Sequence, residues 1–218
     1  MPKQDFIMRL LEQLQGTLPY ILDMAKSGNY AEAHGMIDQV CRELIGVSSA
    51  GLVRLTDADI LRELQADATV AWEEKAFFLA TMLKEDADIY EKEKLEEESG
   101  ARYNTAVLLY IHTALHDPER TDEYTESITE IATILREYEL PAQTYAALMT
   151  FYETIGDFAE AEDILYEWLD AETSDDTLHP VAVGEAFYGR LLQKSDAELE
   201  AGNLPRAEVE AALQELFE

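Results

Sequence analysis

Two histidines four residues apart, His112 and His116, are the side chains in this sequence whose types and spacing come closest to metal chemistry. On a helix, positions i and i+4 share a face, so both imidazoles could reach one metal ion. The glutamate that completes a hydrolytic zinc motif is missing, because Thr113 stands where it would be. A third ligand would have to be a carboxylate from another helix. Glu-x-x-His, which di-iron carboxylate bundles require twice, does not occur in the sequence. Asp175-Asp176 lacks the spaced oxygen ligands of a calcium loop. The single cysteine, Cys41, excludes an internal disulfide and fits a reducing compartment. It stands one step off the apolar stripe of the helix around Ile37-Asp38-Gln39-Val40, and we read it as a packed thiol rather than a nucleophile. No G-x-S-x-G, P-loop or dinucleotide fingerprint is present. The expectation is therefore no catalytic residue, no cofactor and no bound metal, with His112 and His116 as the only metal candidates.

Charge narrows the partners. The chain has 218 residues, with 46 Asp and Glu against 16 Lys and Arg, a formal net charge of -30. Such a field opposes phosphate backbones and anionic membrane surfaces and favours basic partners or cations. The acidic helix faces also serve solubility. With 47% hydrophobic residues the chain is not a disordered acidic tail. Its size could bury roughly 70% of the unfolded surface. Asp5, Arg9 and Glu12 interrupt the N-terminal apolar pattern, so no signal peptide is expected. No apolar stretch reaches the roughly 18 residues of a membrane span. We expect a soluble cytoplasmic protein with no nucleic-acid and no membrane partner. Eleven tyrosines suit binding surfaces, although most are assigned to packing between helices.

Helical periodicity places these residues. Ile7, Leu10, Leu11 and Leu14 form one stripe, and Leu18, Ile21, Leu22 and Ala25 a second, with a break expected near Gly16 because Pro19 lacks a donor. Thr56-Asp57-Ala58-Asp59 and Ser195-Asp196-Ala197-Glu198 read as helix-starting capping boxes. Val70 to Ser99 reads as one long helix stopped by Gly100, its charged end projecting outward. Asp117-Pro118 starts another helix, Leu140-Pro141 ends it, and His179-Pro180 opens a further one. Asp175-Asp176-Thr177 is an acidic loop. No alternating strand pattern appears. The fold class is all-α, with about ten helices in stacked antiparallel hairpins forming an irregular right-handed α-α superhelix. One domain, 1–218, is expected, with sub-blocks at 1–66, 67–140 and 141–218.

A phrase recurs at the hairpin turns. Gly28-Asn29-Tyr30-Ala31-Glu32-Ala33 and Gly156-Asp157-Phe158-Ala159-Glu160-Ala161 share one pattern, and Gly202-Asn203-Leu204-Pro205-Arg206-Ala207 is a variant. The glycine supplies a left-handed residue, Asn or Asp is expected to cap the next helix, and the final Ala permits close helix approach. Ala101-Arg102-Tyr103-Asn104-Thr105-Ala106 reads as a degenerate copy. Tyr145, Leu148, Tyr152, Gly156, Phe158, Ala161 and Leu165 fall at the spacing of a tetratricopeptide repeat, with Trp168 in place of a small residue. The turns begin at 28, 101, 156 and 202, separations of 73, 55 and 46 residues, whereas a regular array repeats every ~34.

The whole chain resembles an uncharacterised family of bacterial helical proteins with tetratricopeptide-like segments. The shared features are the opening Asp5-Phe6-Ile7-Met8-Arg9-Leu10-Leu11, the Gly28-Asn29-Tyr30 turn, Tyr138-Glu139-Leu140-Pro141, Phe187-Tyr188-Gly189-Arg190-Leu191-Leu192, and the tail from Ser195 to Gly202. The resemblance implies a fold and no activity. In tetratricopeptide-like hairpins the first helix faces a groove; carried onto this sequence, that geometry selects Gln143, Thr150 and Glu153, which lie off the Tyr145, Leu148, Tyr152 packing stripe. The functional expectation is a non-enzymatic interaction module whose concave face holds a basic or amphipathic peptide or protein. The alternatives are a metal-dependent helical-bundle enzyme using His112 and His116, and a structural homo-oligomer.

Overall fold

The structure is a computed structural model that describes residues 16–66, 72–117, 121–171 and 178–216. Among these residues there are twelve helices and no strand. They are α1 (Leu18–Lys26), α2 (Tyr30–Ile45), α3 (Ser49–Leu52), α4 (Asp57–Gln65), α5 (Trp72–Lys92), α6 (Glu96–His116), α7 (Thr121–Leu135), α8 (Ala142–Ile155), α9 (Phe158–Asp170), α10 (Pro180–Leu191), α11 (Asp196–Ala201) and α12 (Arg206–Glu215). The all-α expectation holds. None of the described helices is long and apolar enough to cross a membrane. The chain forms two compact units, Met1–Arg136 and Glu137–Glu218. The Ile7 to Leu14 stripe, the Pro118 helix start and the Asp175-Asp176-Thr177 loop lie outside the described residues.

The first unit is built on the α5–α6 hairpin. Ala76, Leu79, Leu83 and Ala87 of α5 and Tyr103, Ala106 and Leu109 of α6 are wholly buried, as a stripe at three- and four-residue spacing requires. α2 packs on α5, and α7 packs on α6. The Phe77 ring sits 5.5 Å from Tyr110 and 5.3 Å from Tyr124, joining α5, α6 and α7. Helix α1 begins at Leu18 with Pro19 in its first turn. The Thr56 hydroxyl accepts the Asp59 amide at 3.1 Å, so that cap forms as expected.

One boundary differs from the sequence reading. The long helix ends at Lys92, not Ser99, and the chain turns at Glu93-Lys94-Leu95. The supposed turn at 100–106 is helical and lies within α6. Electrostatics explains this. Lys92 closes α5 while Glu96, Glu97 and Glu98 open α6, so each charge lies at the helix end it complements. The charged run read as a projecting tail is two helix ends back to back.

Four hairpin turns then share one geometry. Residues Gly28, Lys94, Gly156 and Asn203 adopt left-handed φ angles of 75°, 61°, 84° and 58°. The next residue's amide reaches back to the carbonyl five residues earlier: Asn29 to Met24 at 2.9 Å, Leu95 to Tyr90 at 3.0 Å, Asp157 to Tyr152 at 2.9 Å and Leu204 to Leu199 at 3.0 Å. These bonds satisfy carbonyls that a helix end leaves open. The expected side-chain caps do not form at Asn29 or Asp157. Their backbones, near (-84°, 56°) and (-89°, 77°), depart from the extended N-cap conformation that aims a side chain at the first-turn amides.

The second unit stacks α8 on α9, α9 on α10, and α10 on α12. Tyr145 and Trp168 stack with ring centres 5.9 Å apart and planes 7° apart, so the tryptophan fills the space of the smaller residue expected there. Ala161 is wholly buried, as a close helix crossing demands. Ser195 and Glu198 form the full capping box. The two glycine turns meet: the Ala159 amide donates to the Gly202 carbonyl at 3.1 Å. A Cβ at Gly202 would lie 2.2 Å from Phe158 Cδ2 and 2.6 Å from the Gly156 carbonyl oxygen.

Two substitutions test these turns by chemical denaturation. Lys94→Gly should raise stability by about 1 kcal/mol, since a left-handed residue with a Cβ is strained. Gly202→Ala should lower it by about 1–3 kcal/mol through overpacking against Phe158 and Gly156. A loss of stability in Lys94→Gly would place the turn elsewhere.

Candidate functional site

Asp86 stands in the α5 stripe Leu79, Leu83, Ala87, Tyr90, where an uncharged residue is the default. It is 1% exposed, and its carboxylate collects groups from three other helices. The Nδ1 of His34, on α2, lies 2.5 Å from Asp86 Oδ1. On the other oxygen, the Ser49 hydroxyl of α3 and Arg102 Nε of α6 both donate to Asp86 Oδ2. Arg102 Nε also reaches Ser49 Oγ at 3.0 Å, and its Nη1 donates to the Glu98 carbonyl at 2.9 Å. Tyr90 is held between two cationic groups: His34 stacks on its ring at 4.0 Å, and the Arg102 guanidinium carbon lies 4.1 Å from its centre. His34 Nε2 lies 2.8 Å from Glu93 Oε2.

A serine and a histidine on one aspartate suggest a nucleophilic triad, but the order here is wrong for one. A triad places the imidazole between hydroxyl and carboxylate so that it can take the serine proton. Here the carboxylate stands between the other two, and Ser49 is 2% exposed. The arrangement satisfies a buried charge. Cys41 fits no better as a nucleophile: burial, then the charges of Asp86 and Asp38, push its thiol well above the usual range.

His112 and His116 lie in the last turns of α6 and pair separately. His112 Nε2 meets Asp57 Oδ2 at 2.7 Å, and His116 Nδ1 meets Glu73 Oε1 at 3.0 Å, with Trp72 edge-on at 4.9 Å. Carboxylates from other helices do reach them, one to each imidazole. Among the described residues no three metal-ligating side chains converge.

Of the groove residues, Thr150 and Glu153 line an open cleft of about 510 Å³ together with Thr154, Arg190 and Lys194. Gln143, in the first turn of α8, is exposed but is not among those lining residues. Glu153 takes a bidentate ion pair from Arg190, with Nε at 2.8 Å and Nη2 at 2.7 Å. Its charge is therefore already matched within the cleft. Lys194 makes no ion pair among the described residues and lies 5.1 Å from the Phe158 ring.

Sequence reasoning did not single out His34, Ser49, Asp86 or Arg102. One signal was present: Asp86, three after Leu83 and four before Tyr90, is a carboxylate inside an apolar stripe.

His34 makes the cluster pH-dependent. Burial alone would lower its pKa, but hydrogen bonds and charge from Asp86 and Glu93 outweigh it and hold the imidazole above its usual 6.5. The folded state therefore gains stability from protonated His34 below the unfolded pKa, and loses that gain as pH rises through the folded one. Unfolding free energies of the wild type and His34→Gln should differ most near pH 6 and converge at alkaline pH. A difference that grows with rising pH would contradict the pairing.

No curated protein and no solved structure matches this chain. One protein family matches it from residue 1 to residue 218, and the chain belongs to that family, a family of unknown function (DUF6483).

Proposed function

We propose that the protein is a non-enzymatic interaction module that holds an amphipathic peptide segment of a protein partner in the cleft of its second unit. One observation carries this reading: Thr150, Glu153 and Thr154 of α8 and Arg190 of α10 line the same cleft. These are the first helices of successive hairpins, the position where tetratricopeptide-like stacks present a concave, right-handed superhelical face. The cleft offers hydroxyls, a matched Arg190–Glu153 pair and the Lys194 ammonium. It suits a polar edge with a carboxylate or carbonyls more than a dense basic run. The net charge of -30 acts at longer range, steering basic residues that flank the bound segment. The Asp86 cluster supports a binding role over catalysis, because its hydroxyl, imidazole and thiol neighbours are buried or already paired. A cytoplasmic location follows the acidic composition and single cysteine.

The test is selection of peptides from a random display library on the full chain, followed by calorimetry. Selected peptides should be amphipathic, and raised salt should weaken them. Thr150→Ala with Lys194→Glu should weaken binding about tenfold or more, equivalent to ~1.4 kcal/mol, with the melting temperature unchanged. Equal binding to the double variant would move the interface elsewhere.

A further inference from the structure

A second cleft, in the first unit, has a different character. It is an open concavity of about 390 Å³ between α3, the segment after it, and the facing ends of α5 and α6. Its polar lining is Arg54, Tyr90, Glu97, Glu98 and Arg102. Arg102 is 4% exposed, yet among the described residues only its Nε and Nη1 make hydrogen bonds. Its Nη2 has no hydrogen-bond partner among the described residues, and Arg102 lines the cleft. Arg54 is exposed and makes no ion pair among the described residues. The Tyr90 hydroxyl likewise has no hydrogen-bond partner among the described residues. Three donor groups that make no hydrogen bond among the described residues therefore line one concavity, in a chain where acids far outnumber bases. Donors grouped in one concavity in this way mark a place for an acceptor. Their positions are set in advance, because Tyr90 is clamped between His34 and Arg102, and Arg102 is anchored on Asp86.

We propose that this cleft binds a free α-amino acid with a small aliphatic side chain. The ligand carboxylate is received by Arg102 Nη2, the Arg54 guanidinium and the Tyr90 hydroxyl. Its ammonium faces Glu97 and Glu98, which line the same cleft and make no ion pair among the described residues. The side chain meets Ala50, Val53 and Ala101, the apolar part of the wall. Two arginines and two glutamates give the lining both signs of charge, which matches a zwitterion. A dianion such as phosphate would meet the two glutamates unpaired. The volume lies in the range of small-molecule sites. The site is in the other unit from the peptide cleft and stands or falls independently of it.

Isothermal titration of the full chain with alanine, valine and leucine tests this directly, with the corresponding amino-acid amides, N-acetyl amino acids and inorganic phosphate as comparisons. At least one free amino acid should bind and raise the melting temperature. Its amide, lacking the carboxylate, and its N-acetyl derivative, lacking the ammonium, should each bind at least about tenfold more weakly. Arg54→Gln should weaken binding about tenfold and Tyr90→Phe about threefold. Neither should alter the ligand-free melting temperature, since neither removed group has a side-chain partner among the described residues. The proposal is overturned if no amino acid binds, if the amide binds as well as the acid, if phosphate binds more tightly, or if Arg54→Gln binds like the wild type.

Discussion

The first unit depends on one buried carboxylate. An isolated Asp86 would be intolerable at 1% exposure, because a lone charge in a low-dielectric interior costs several kcal/mol. It is acceptable because a guanidinium, an imidazole and a hydroxyl reach it from three other helices. The consequence is positional. α2, α3 and α6 cannot slide along α5 without leaving a buried charge unpaired, so an interaction of small net energy fixes the relative placement of four helices. The same groups set the unit-one cleft, since Arg102 and Tyr90 belong to both.

The second unit is organised differently. No buried ion pair of that kind lies at its centre among the described residues. Apolar stacking of Tyr145 on Trp168, and the contact of two tight turns at Gly156 and Gly202, hold the hairpins together. Its charged pair, Arg190 with Glu153, sits at the cleft, where Arg190 is about half exposed and a single pair adds little stability. A cleft of that kind can change its hydrogen-bond partners without unfolding the helices beneath it.

How much of this was legible follows from the range of each cause. The Gly28 and Gly156 turns, the Ser195 capping box and the Ala161 packing position arise from residues within a few positions of each other, and sequence patterns read them. The Lys94 turn escaped because the sequence offered a nearby glycine, Gly100, as the obvious breaker, while the left-handed residue is a lysine. Its true marker was the reversal from Lys92 to Glu96-Glu97-Glu98. Thr150 and Glu153 were placed in a cleft by hairpin geometry, but the Arg190 partner is 37 residues away and no periodicity reveals it. The Asp86 cluster joins residues up to 59 apart, as His34 is from Glu93. A charge inside an apolar stripe announces that a partner must exist without saying which.

The most direct test of the account is a double-mutant cycle between Asp86→Ala and Arg102→Met, read by equilibrium unfolding. Removing either partner leaves the other charge buried and should cost about 3–5 kcal/mol. Removing both should cost far less than the sum, giving a coupling energy of at least ~2 kcal/mol. Additive single effects of about 1 kcal/mol or less would mean that Asp86 does not hold these helices in place.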